Sequence, residues 1–103
     1  MKFEFADSVE DVFEALCAVT RLIGGVKVRD TPNGLITGSV KRGIGAIWEP
    51  VTVFCRVIEM VDRTVVEVSF DHKQITGIPD MTKKAAQVFA EHLARRKELT
   101  RLD

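Results

Sequence analysis

Between residues 51 and 70 the chain alternates strictly. Val51, Val53, Cys55 and Val57 fall on one side of an extended segment, and Thr52, Phe54, Arg56 and Ile58 fall on the other, because successive strand side chains point to opposite faces. Val66, Val68 and Phe70 repeat the apolar side in the next run, opposite Val65, Glu67 and Ser69. β-branched residues dominate both runs, as a half-buried pleated surface favours. The pattern predicts a hairpin of residues 51–59 and 64–70, with residues 60–63 as its turn and Asp62 as the turn residue. One face is purely apolar and meets the core. The other mixes Phe54 and Ile58 with Thr52, Arg56, Glu67 and Ser69.

Upstream, residues 2–6 alternate around Phe3 and Phe5 and predict a short opening strand. Asp7-Ser8 then precedes a helical pattern in which Val9, Val12, Phe13, Leu16, Val19 and Ile23 share one face. Ser8 is the expected N-cap, with Asp11 three residues on in a capping-box arrangement, and Glu10 and Asp11 suit the positive end of the helix dipole. Gly24-Gly25 is expected to end the helix in a left-handed cap. Residues 26–29 predict a second strand with Val26 and Val28 on one face. Thr31-Pro32-Asn33-Gly34 is a turn signal, and residues 35–41 form the third strand of a hairpin. Gly38, on the inner side with Ile36 and Val40, marks a bulge, a bend or a close approach. Residues 42–49 are either a loop or a wide turn whose second half, Ala46-Ile47-Trp48, joins the fourth strand. Residues 71–80 read as a polar loop carrying Ile75 and Ile78. Asp80 is expected to cap a closing helix with a buried stripe of Met81, Ala85, Val88, Phe89, His92 and Leu93. Arg95, Arg96 and Lys97 complement its C-terminal dipole, and residues 99–103 are expected to extend the helix or fray.

The resulting order is β-α-β-β-β-β-α. It predicts an α+β domain spanning residues 1–103, with a curved five-stranded antiparallel sheet and two amphipathic helices on one face. This is also the layout of the TATA-binding-protein-like fold. The chain resembles small bacterial domains of that layout in SVEDVFEALCAVTRLIGG, KRGIGAIWEPVTV, TVVEVSF and the closing helix. A second likeness, carried by the strand followed by SVEDVF, is to the helix-grip lipid-binding proteins. Those chains are longer and close more strands over a cavity. Neither likeness transfers functional residues, since fold does not imply function.

Composition narrows the possibilities. The chain has 103 residues, 46% of them hydrophobic, with 15 basic and 15 acidic residues, enough for one stable core. A neutral chain lacks the basic field of a non-specific nucleic-acid binder, so no nucleic-acid partner is expected. No stretch approaches a membrane span or a signal peptide, and no membrane partner is expected. Cys17 and Cys55 sit in apolar patterns and read as buried free thiols in a reducing, cytosolic setting.

Candidate chemistry is sparse. His72 follows Asp71, a pairing that can orient an imidazole. Adjacent residues of an extended segment point apart, however, so His72 reads as a surface loop residue, and an enzyme would need Asp71, His72 and Glu49 or Glu67 to converge. The histidines and cysteines have no metal-ligand spacing, and neither a catalytic residue nor a cofactor is expected. Lys41, Arg42, Gly43 and Gly45 form a weak anion-binding pattern, without the helix that should follow a phosphate loop; a flexible strand connection is the better reading. Trp48, the only tryptophan, either anchors a partner or closes the core. The leading expectation is a non-enzymatic binding or assembly module, with Trp48, Thr52, Phe54, Arg56, Ile58 and Glu67 as its candidate ligand or interface residues and with self-association into a homodimer. The alternative is a carrier of a small apolar or acidic ligand, lipid included, on the concave sheet face.

Overall fold

The computed structural model describes residues 1–41, 51–72 and 80–102. Its elements are β1 (Lys2–Phe5), α1 (Val9–Ile23), β2 (Gly24–Asp30), β3 (Leu35–Val40), β4 (Val51–Glu59), β5 (Thr64–Asp71) and α2 (Thr82–Ala94). All five strands join one antiparallel sheet in the order β1-β5-β4-β3-β2. The predicted element order and α+β class are those observed.

The inner face is built by alternation. Val51, Val53, Cys55 and Val57 of β4 and Val66 and Val68 of β5 are buried. With Phe3, Phe5, Ile36 and Val40 they share one cluster with α1 (Val12, Phe13, Leu16, Cys17, Val19, Ile23) and α2 (Ala85, Val88, Phe89, Leu93). Both helices therefore pack on the same face of the sheet. Phe89 anchors α2, its ring edge-on to Phe70 with centroids 5.9 Å apart. Among the described residues no buried side-chain nitrogen or oxygen lacks a hydrogen-bond partner.

Local chemistry sets the element ends. The Ser8 hydroxyl accepts from the Asp11 N–H at 3.2 Å, as the sequence predicts. The end of α1 differs from expectation. Gly24 is extended, with φ 179°, and its N–H donates to the Thr20 carbonyl, so the helix runs straight into β2. Gly34 has the left-handed φ of 66° that its tight turn requires. The Asp30 carboxylate reaches across that turn to accept from the Asn33 backbone and side chain.

Val26 and Val28 do not share a face. The β2–β3 register shifts between them, so Val26 pairs with Gly38 and Val28 with Thr37. The extra residue is a β-bulge, which sends Val28 to the opposite side. At Gly38 both strands and α1 come close together. A Cβ there would stand 2.4 Å from both the Gly25 carbonyl oxygen and Thr20 Cγ2.

The sheet edges are treated differently. The bulge disrupts the exposed β2 edge beside Lys27, which disfavours pairing with another strand. The β1 edge is covered by residues 100–102. Residues 99–102 neither extend α2 nor fray: Ala6 N–H donates to the Thr100 carbonyl at 2.9 Å and Leu102 N–H to the Glu4 carbonyl at 2.8 Å. The Asp7 carboxylate accepts from Thr100 N–H, and the Arg101 guanidinium lies 4.8 Å from the centre of the Phe3 ring.

Candidate functional site

The helices leave one face of the sheet open, and the register sets which side chains meet there. Directly opposed residues share a face. One row across the sheet reads Leu35, Arg56, Glu67, Lys2 from β3 to β1, and its neighbour reads Val28, Thr37, Phe54, Ser69 from β2 to β5. Beyond the first row lies Ile58, Val65, Glu4; beyond the second, Ser39, Thr52, Asp71. The described residues singled out from sequence, Thr52, Phe54, Arg56, Ile58 and Glu67, thus come together on this face. Trp48, Arg42, Gly43 and Gly45 lie outside the described residues. Lys41 is exposed at the end of β3, its N–H donating to the Ile23 carbonyl at 2.7 Å.

Exposure divides the face unevenly. Phe54 is 43% exposed and Leu35 40%, and Arg56, Glu67 and Ser69 are exposed with them. Thr52 and Ile58 are half-buried, and Val65, though on the open side, is only 6% exposed. Among the described residues no ion pair joins Arg56 to Glu67, although strand pairing sets them opposite each other. Met1, Leu35, Phe54, Arg56, Glu67 and Ser69 line a shallow depression of about 390 Å³. Ile58, a candidate site residue with Phe54, is not part of its lining. Met1, which the sequence did not mark, is: its carbonyl accepts from Val68 N–H and carries the β1–β5 pairing one residue further.

No protein-family model matches the chain, and no curated protein matches it. The open face must therefore be read from its own chemistry.

Among the described residues, Asp71, His72 and Glu67 do not converge. Asp71 pairs with Thr52 on the open face, as does Glu67 with Arg56, whereas His72 is buried. This overturns the expectation of a surface His72. Its Nδ1 accepts from Met81 N–H at 3.3 Å, so the proton of the neutral ring resides on Nε2. That bond supplies the α2 N-terminus with an acceptor that Met81 itself lacks. Asp80, the expected cap, accepts from Thr82 N–H at 3.0 Å. Glu49 lies outside the described residues. His92, half-buried on α2, has its Nδ1 3.0 Å from the Val88 carbonyl oxygen.

Both thiols are buried and free. Burial and the neighbouring Cys17 push the Cys55 thiol up to about 12, and burial raises Cys17 as well. Neither is a nucleophile at neutral pH. Among the described residues no three His, Cys, Asp or Glu side chains gather as a metal site, and no helix is long and apolar enough to cross a membrane.

Proposed function

We propose that the chain is a non-enzymatic binding or assembly module that self-associates, as a homodimer, through the sheet face its helices leave open. The observation that carries this reading is the exposure of Phe54 and Leu35 beside the opposed charges of Arg56 and Glu67. Covering apolar surface is worth about 25 cal/mol per Å² before the costs of association, and two-fold closure is the commonest way for one chain to cover its own face. The treatment of the edges supports a face rather than an added strand, since β1 is covered by residues 100–102 and β2 is broken by a bulge. Light scattering tests it: the chain should show a dimer fraction that rises with concentration, and Phe54→Asp should abolish it. A wild-type chain that scatters as monomer throughout, unchanged by Phe54→Asp, contradicts the reading.

The depression of about 390 Å³ supports a second reading, the small-ligand carrier. Arg56 beside Phe54 suits a ligand with an acidic head and an apolar body. A thermal-shift screen over fatty acids, acyl groups and nucleotides that raises Tm for the wild type but not for Arg56→Gln favours the carrier; no stabilisation by any of them removes it.

A further inference from the structure

Resting on the proposed self-association, we propose that the dimer is registered by two reciprocal ion pairs, Arg56 of each copy meeting Glu67 of the partner subunit. Arg56 and Glu67 occupy adjacent strands in one cross-strand row, both are exposed, and neither is in an ion pair among the described residues. A face-to-face two-fold axis that runs along the strands, midway between β4 and β5, exchanges the two positions of that row. It brings Arg56 over the partner's Glu67 and Glu67 over the partner's Arg56. The same operation sets Phe54 over the partner's Ser69, next to the depression lined by both residues. Stacked sheets lie about 10 Å apart, a gap that an arginine and a glutamate reach across together. The Arg56–Glu67 pair is thus self-complementary in charge, although the chain as a whole is neutral.

Size sets the strength. About that axis β4 lies over the partner's β5 and β3 over its β1, while β2 overhangs, so four strands at about 4.8 Å spacing and some six residues each at about 3.3 Å rise cover roughly 380 Å². A standard interface buries about 800 Å² per partner, so a contact of this extent is that of a weak, reversible dimer.

Charge reversal tests the pairing. Arg56→Glu places two carboxylates together at each contact and Glu67→Arg two cations, so each variant alone should lose at least about tenfold in association. Mixed in equal amounts they should recover a heterodimer by sedimentation velocity, since both contacts are then opposite in sign. Arg56→Glu combined with Glu67→Arg in one chain should restore the homodimer. Unchanged thermal unfolding of each variant shows that the fold is intact, and Arg56→Gln and Glu67→Gln serve where a reversal unfolds the chain, each then weakening association, with partial recovery on mixing because one of the two contacts is again an arginine facing a glutamate. A wild-type dimer whose reversal variants still associate, or fail to recover on mixing, overturns the ion-pair register while leaving self-association in place. A wild-type chain that is monomeric at every concentration overturns both.

Discussion

Arg56 and Glu67 stand opposite each other on β4 and β5, on the face away from both helices, and no ion pair joins them among the described residues. Exposed neighbouring charges of this kind contribute little to the fold itself. They are available to an outside partner, and they stand beside the exposed apolar side chains of Leu35 and Phe54. Raising salt from about 0.05 to 0.5 M shortens the Debye length from roughly 14 to 4 Å, so association should weaken several-fold. Analytical ultracentrifugation at the two salt concentrations measures this; an affinity that rises with salt would assign the contact to apolar burial without charge.

Gly38 and Gly25 should respond unequally to alanine. At Gly38 a Cβ meets the Gly25 carbonyl oxygen and Thr20 Cγ2 at 2.4 Å, whereas at Gly25 it meets nothing within 4 Å. Gly38→Ala should cost about 1–3 kcal/mol by forcing α1 and β2 away from β3, and Gly25→Ala should stay within about 0.5 kcal/mol of the wild type. Urea unfolding midpoints compare them.

His72 is a structural acceptor rather than a reactive group. His72→Ala removes the acceptor for Met81 N–H and leaves a buried void, and should cost about 2–4 kcal/mol. His72→Asn retains an acceptor near the position of Nδ1 and should lose less. Amide exchange at Met81 should speed up in His72→Ala ahead of the rest of α2; equal exchange in both chains would remove the capping role.

The buried Cys55 makes stability fall in alkali. Its thiol is pushed up to about 12 in the fold, while an unfolded thiol titrates near about 8.5. Above that value the unfolded chain has lost the proton that the folded chain keeps, so unfolding releases a proton. Stability is full below about 8.5 and declines as pH rises towards 12. Cys55→Ala should be less stable at pH 7, through the void it leaves, and should show a shallower decline between about pH 9 and 12. Denaturant titrations at stepped pH give both slopes.

Much of this architecture is legible in the sequence. The faces of β4 and β5 follow from strict alternation, because burial on one side requires it. The cap at Ser8 and the turn before Gly34 follow from short-range chemistry. The faces of Val26 and Val28 do not, because a single bulged residue reverses side-chain parity without changing composition. The placement of His72 depends on where α2 begins in space, and the return of residues 100–102 to β1 is a tertiary edge contact with no local signal. On the open face, alternation identifies Phe54, Arg56 and Glu67 as neighbours. It does not show that Val65 is covered or that Leu35 and Met1 line the same depression, since those depend on which strands flank the hairpin.

The most direct test is the concentration dependence of backbone amide resonances in a proton–nitrogen NMR spectrum. Self-association through the open face predicts that Thr37, Phe54, Arg56, Glu67 and Ser69 shift together as the chain is concentrated, while exposed amides of α1 and α2 stay fixed. Shifts confined to the helices, or none at any concentration, would contradict it.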